Sequence, residues 1–251
     1  MGICLAIIRI GAYSLVFAVF VCIGACGHIL FFLSPPRRLK WIAFFAQWWA
    51  RATCMVLNIQ IHIEGDTFIK PGSLIVANHV GSPDIFILGA CFKGFFVSKA
   101  EIADWPLFNW LARLGMTIFA DRSKRHQVKA IIREMGQRLN ADQSVFLFPE
   151  AQATDGADVV PFKSAVFQSA IFANRAVIPV VIRYHDGHQP TIAYYGDSFT
   201  KHIFTLLKAP RLKATVIILP EISVGPDRQT LAEKSYQAIR NKVVNSSPQS
   251  T

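Results

Sequence analysis

The chain has 251 residues, enough for one large domain or two small ones. It is 52% apolar and 12% aromatic and only 17% charged, yet its formal net charge is +10; average soluble domains carry about 25% charged residues. Greasiness and positive charge together point to an anionic membrane surface and away from nucleic acid, and no zinc-finger spacing, RNP-like motif or basic heptad repeat is present. Of the five cysteines, Cys4, Cys22, Cys26 and Cys54 fall in the N-terminal apolar region, the fifth is Cys91, and no CxxC occurs. They read as apolar filler, not as metal ligands, nucleophiles or disulfides.

In chain order, residues Ile10 to Leu33 form an apolar run without Asp, Glu, Lys or Arg and with His28 as its one histidine. As a helix that run would be about 36 Å long, enough for a bilayer core. A single basic residue, Arg9, precedes it, which disfavours a cleaved signal peptide. Arg37, Arg38 and Lys40 follow Pro35-Pro36, so the positive-inside rule puts the downstream body on the cytoplasmic face, as at a bacterial inner membrane. Trp41 to Leu57, carrying Trp41, Trp48 and Trp49, reads as an interfacial helix or as a core helix packed on the domain. A spanning helix and a two-helix membrane hairpin both fit, and Gly24 and Gly27 leave room for a bend. Residues 1–57 are thus the expected anchor, 58–244 the catalytic domain and 245–251 a frayed polar tail.

Beyond residue 58, strands are predicted at Ile59–Ile63, Leu74–Ala77, Gly94–Val97, Thr117–Phe119, Ser144–Phe148, Ile178–Arg183, Pro190–Tyr195 and Ala214–Leu219. Helices are predicted at Pro83–Cys91, Pro106–Leu114, Gln127–Asn140, Ala165–Asn174 and Asp227–Val243. This alternation argues an α/β fold, a mixed sheet flanked by helices and preceded by the membrane element.

The most informative stretch is Asn78-His79-Val80-Gly81-Ser82-Pro83-Asp84. On one continuous helix His79 and Asp84 would point about 140° apart. With His79 in a strand-to-helix turn, Ser82 as N-cap, Pro83 at the first helical position and Asp84 in the first turn, the two side chains can meet. A histidine held by a carboxylate removes the proton of an alcohol as that alcohol attacks an activated acyl group, without metal or cofactor. The bare pair also fits a loop histidine beside a helix-start aspartate.

The later motifs discriminate. Lys99-Ala100-Glu101 leads to Gly115-Met116-Thr117-Ile118-Phe119-Ala120-Asp121-Arg122, then come Phe148-Pro149-Glu150 and Ile178-Pro179-Val180. These four blocks in order resemble the glycerolipid (lysophosphatidic acid-type) acyltransferase family, from about Asn58 to the last predicted strand. The resemblance implies that His79 is the general base, that Asp84 orients and charges its imidazole, and that Arg122 holds an anionic headgroup. Glu150 would contact the acceptor or brace the His79 loop. Substrate-binding roles are implied for Asn78, Lys99, Pro149, Lys163 and Pro179 as well. The implied partners are a lysolipid acceptor, an acyl carrier protein or coenzyme A thioester as donor, and the membrane; no metal or resident cofactor is expected. The basic run Lys124, Arg125, Lys129, Arg133 would attract anionic lipid or donor, or be a solvated helix face.

The third block departs from the family pattern. Ala151 stands where the family has glycine, and Ala153 where it has an acceptor-binding arginine. Lys163 would replace that arginine only if the turn between Gly156 and Pro161 folds back. Thr154-Asp155-Gly156, Pro161-Phe162-Lys163-Ser164-Ala165 and Ala193-Tyr194-Tyr195-Gly196-Asp197 resemble the lyso-ornithine lipid acyltransferase branch. The expectations are therefore an acyltransferase acting on an acylglycerophosphate-like acceptor, one acting on lyso-ornithine lipid, or a catalytically weak lipid-binding relative. A membrane-anchored hydrolase would need a nucleophile, and no Gly-x-Ser-x-Gly elbow is present.

Overall fold

The computed structural model describes residues 2–100, 106–120, 125–185, 192 and 199–245. Two long helices open the chain: α1 over Gly2–Leu30 and α2 over Pro35–Val56. An α/β body follows, with β1 Ile59–Glu64, β2 Leu74–Ala77, α3 Pro83–Cys91, β3 Gly94–Lys99, α4 Pro106–Leu114, β4 Ile118–Ala120, α5 Arg125–Asn140 and β5 Ser144–Leu147. Then come a 3-10 turn at Ser164–Phe167, α6 Gln168–Ala173, β6 Val177–Tyr184, α7 Phe199–Lys208, β7 Leu212–Ile218 and α8 Arg228–Val244. The strand expected at Pro190–Tyr195 lies outside the described residues except for Ile192, which is buried.

The seven strands form one sheet in the order β1-β7-β6-β2-β5-β3-β4. β6, β2, β5, β3 and β4 run parallel, and the sense reverses once, where β6 pairs antiparallel with β7, beside which β1 runs parallel. β2 and β5 are buried along their whole length, and side-chain alternation splits each strand between two cores. Ile75 and Ala77 face α2, α3 and α7 with Ala50, Cys54, Ile87, Leu88 and Leu206; Leu74 and Val76 face α5, α6 and α8 with Met135, Leu139, Phe167, Ala170 and Ile239. The layers are helix, sheet, helix. The last turns of α2 belong to the first of these cores, and Gln47 and Arg51 donate to the carbonyls that end α3.

Helix α1 begins eight residues before the predicted apolar run and ends at Leu30. It is continuous through Gly24 and Gly27, where room for a bend was expected. Those glycines instead permit close packing, because a Cβ at Gly27 would strike the Trp41 indole and one at Gly24 the Leu114 side chain. Arg9, inside the apolar helix, is only 4% exposed and donates to the carbonyls of Leu57, Leu207, Ala209 and Pro210, the chain ends of α2 and α7. Near the other end His28 Nε2 meets the Leu114 carbonyl at 3.0 Å. Arg9 and His28 lie about 28 Å apart along the helix, so α1 touches the body at both ends. Its other side exposes Ile3, Ile7, Ile8, Leu15, Ile29 and Leu30.

Helix α7 was not expected. Its segment, Phe199-Thr200-Lys201-His202-Ile203-Phe204-Thr205, is rich in aromatic and β-branched residues of low helix propensity, and packing of Leu206 and Ile203 on the sheet overrides that preference. The single helix predicted at Ala165–Asn174 is a 3-10 turn followed by α6, closed by Asn174 in the left-handed region at φ +50°.

Candidate active site

The parallel half of the sheet places the carboxyl ends of β2, β5, β3 and β6 along one edge, the usual location for a site in an open α/β sheet. β2 ends at Ala77 and delivers His79; β5 ends at Leu147 and delivers Phe148, Pro149 and Glu150; β6 ends on Tyr184. The chain turns sharply after His79 and enters α3 at Pro83, so Asp84 returns beneath the histidine.

His79 is held on four sides. Its Nδ1 lies 2.7 Å from Asp84 Oδ2. Its backbone N–H donates to Glu150 Oε1 at 2.7 Å, and its carbonyl accepts from the Thr154 N–H at 2.9 Å. The ring stacks on Phe148, with centroids 4.3 Å apart and planes 18° apart. An Nδ1–H donated to the carboxylate leaves Nε2 as the basic nitrogen, and Nε2 makes no hydrogen bond to the described residues. The side chain is 21% exposed, while Asp84 is fully buried.

Asp84 is satisfied without a cation. Oδ2 also accepts from the N–H groups of Val80 at 2.6 Å and Gly81 at 3.0 Å, and Oδ1 accepts from the Tyr184 hydroxyl. Ser82 occupies the N-cap position as expected but makes no side-chain cap; its hydroxyl meets His202 Nε2 of α7 at 2.8 Å. That hydroxyl is therefore turned to a different histidine than His79. Cys54 and Cys91, with thiols pushed up to about 12 chiefly by burial, are not poised nucleophiles.

Glu150 has both oxygens on backbone N–H groups, Oε1 on His79 and Oε2 on Val160 at 2.9 Å. Of the two expectations for it, the geometry is that of a brace. Burial pushes its carboxyl up to about 7, against the pull of the two N–H donors and the His79 imidazole. Ala151, in the glycine position, sits in the left-handed region at φ +66°. Even so, the Ala151–Gly156 turn keeps its hold on His79 through Thr154, whose hydroxyl also accepts from the Gly156 N–H. The altered block is intact as a scaffold.

The remaining expected substrate residues divide. Asn78 is buried and its amide both donates to and accepts from the Ile182 backbone, so it extends the β2–β6 pairing past the end of β2. Pro179 lies inside β6 opposite Val76, within the sheet, away from its carboxyl edge. Lys99 is exposed at the carboxyl end of β3, paired with Ala120 of β4. Lys163 is exposed, and its N–H reaches the Pro149 carbonyl at 3.0 Å, so the segment after Gly156 does fold back against the site. Arg122, Lys124 and the Ala193–Asp197 segment fall outside the described residues. Arg133 lines a cavity with Arg38 and Arg138 at the start of α2. Sequence reasoning missed Tyr184 and His202. The signal for Tyr184 was a tyrosine closing a largely apolar strand, where a buried hydroxyl must find a partner; His202 sits in the helix that propensity concealed.

The fold and this loop define an acyltransferase. Residues 60–183 match the family model described as Acyltransferase. The chain is 32% identical over 179 residues to the 1-acyl-sn-glycerol-3-phosphate acyltransferase of Neisseria gonorrhoeae, covering 69% of this chain and 70% of that one. It is 34% identical over 200 residues to the lyso-ornithine lipid O-acyltransferase of Pseudomonas aeruginosa, covering 77% and 76%. The crystal structure of the 1-acyl-sn-glycerophosphate acyltransferase PlsC from Thermotoga maritima shares the fold, with a TM-score of 0.69 at 18% identity over the full length of both chains. The chain belongs to this acyltransferase family.

Proposed function

We propose that the protein transfers an acyl group from an acyl carrier protein or coenzyme A thioester to the free hydroxyl of a lysolipid at the membrane surface, with His79 as the base. The observation that carries this reading is the His79–Asp84 pair, braced from Glu150 and Thr154, with Nε2 making no hydrogen bond to the described residues. The acceptor O–H proton passes to His79 Nε2 as the oxygen attacks the thioester carbonyl; the tetrahedral adduct then expels thiolate, which recovers the proton from the imidazolium. Because the thioester is already activated, one positioned base suffices. No acyl-enzyme is needed, consistent with the high thiols of Cys54 and Cys91.

For the acceptor we favour an acylglycerophosphate-like lysolipid, with lyso-ornithine lipid as the competing reading. The competing reading is supported by Ala153 in the arginine position and by the lyso-ornithine lipid acyltransferase among the relatives. Each charge-assisted hydrogen bond contributes about 1.5–3 kcal/mol, so loss of that arginine weakens phosphate binding about tenfold or more. The apolar side of α1, tied to the body at both ends, supports an anchor lying in the near leaflet, and Arg37 and Lys40 beside it suit anionic headgroups. Side-by-side turnover of full-length protein with lysophosphatidic acid, zwitterionic lysophospholipid and lyso-ornithine lipid tests the assignment. Exclusive use of lyso-ornithine lipid overturns the favoured acceptor, and no turnover with any of them overturns the reaction.

A further inference from the structure

Asp84 receives more donors than orienting one imidazole requires. Three converge on Oδ2, and the fourth comes from Tyr184, a hundred residues away at the end of β6. We propose that Tyr184 is a positioning residue of the acyl-transfer reaction: its hydroxyl holds the outer oxygen of Asp84 and so sets both the direction and the basicity of the His79 imidazole. The proposal rests on the reading of His79 as the base.

The roles in this contact are forced by chemistry. An ionised carboxylate only accepts, so the phenol must donate. Burial and the adjacent Asp84 charge hold Tyr184 neutral, well above the ordinary tyrosine range, so the donor persists throughout the working pH range. Both partners are buried, 4% exposed for Tyr184 and 0% for Asp84, so no water replaces the contact if it is lost. With the phenol present, carboxylate charge is drawn toward Oδ1 and shared among four donors. Without it, Oδ1 is stranded and the carboxylate pulls harder on the His79 proton, which favours the imidazolium and empties the base. The bond also fixes the carboxylate plane, because Oδ1 is tied to the sheet while Oδ2 is tied to the loop. Thus β6, through one side chain, registers the catalytic loop against the strand that pairs with β2.

Among the described residues, three other titratable groups pack around the pair. Glu150 approaches the His79 backbone from the β5 side, His202 meets Ser82 from α7, and the Cys54 thiol faces Tyr184 from α2. None of these donates to Asp84 Oδ1. All three remain when Tyr184 is replaced, so a change on replacement reports the hydroxyl alone.

The test is Tyr184→Phe in full-length protein in mixed micelles. We expect kcat to fall about tenfold or more with both KM values within about twofold, and the acidic limb of kcat/KM to move up by about half a pH unit or more. Nitrogen-15 NMR of histidine-labelled protein, with His79 assigned from His79→Ala, should show the imidazole titrating at higher pH in Tyr184→Phe than in the parent. A loss of activity with an unmoved limb and unmoved titration would make Tyr184 merely structural and overturn the proposal. If the parent acylates no lysolipid, the functional reading fails, and the NMR titration still decides the coupling. Should Tyr184→Phe not fold, 3-fluorotyrosine at position 184, a stronger donor, must shift the His79 titration downward; an unchanged titration overturns the proposal.

Discussion

His79→Ala and Asp84→Asn ask different things of the same contact. Removing the imidazole deletes the proposed base, and positioned general bases contribute about 10²–10⁴-fold; turnover should fall by that order with the fold retained. Asp84→Asn keeps the volume but offers an NH2 to three converging donors or loses one acceptor, so both turnover and thermal stability should drop. Glu150 makes a pH prediction. Its folded carboxyl, about 7, lies above the ordinary 4.5, so its stabilising share is complete below about 4.5 and declines as pH rises through about 7. The cost of ionising it is on the order of 3 kcal/mol. Glu150→Gln removes that titration and one of the two backbone acceptors, so the variant should be less active while its melting temperature changes less between pH 5 and pH 7.5 than that of the parent. An equally steep decline in both proteins would show that Glu150 does not titrate in this range. At Ala151 the left-handed backbone costs about 1–2 kcal/mol for a side chain with a Cβ. Ala151→Gly should therefore leave the melting temperature unchanged or slightly raised, and Ala151→Val should lower it.

Among the elements, the α1–α2 hairpin and α7 interlock. Arg9 is a charge in an apolar helix, and it answers the negative ends of two other helices through four carbonyls. Arg9→Met keeps the apolar stem and abandons those carbonyls. The end of α1 should detach, and limited trypsin digestion in micelles should cut after Lys208 or Arg211 faster than in the parent; unchanged cleavage would show that apolar packing alone holds the hairpin end. The elements also show why α7 escaped sequence reading. A segment of Phe, Thr and Ile carries a strand-like local preference, and only docking on the sheet face through Leu206 and Ile203 makes it a helix. Once formed, it brings His202 to Ser82, a contact between residues 120 apart in the chain that no local pattern announces.

At the level of the whole molecule, residues 1–57 and the α/β body are not separable layers. Ala50, Cys54 and Leu57 of the first segment lie in the core that covers one sheet face, and Gln47 and Arg51 close the end of α3. Deleting residues 1–57 uncovers that face, including Ile87, Leu88 and Leu206. The truncated chain should aggregate or be inactive even in detergent; a soluble, fully active fragment would contradict this packing.

The sequence by itself determined the α/β alternation, the apolar N-terminus and the His79–Asp84 pair, because each is written in local terms: strand-length apolar runs, a long uncharged helix, and a histidine and carboxylate flanking a serine-proline helix start. It also exposed the departure at Ala151 and Ala153, though not its consequence. Tertiary structure decided the rest, because the remaining groups are brought together by strand order. Parallel pairing of β2 with β5 and β6 turns Glu150 into a brace, commits Asn78 to the Ile182 backbone, and sets Tyr184 under Asp84. Whether α1 bends at its glycines or packs through them was likewise a question about Trp41 and Leu114, the side chains opposite, and only their positions answered it.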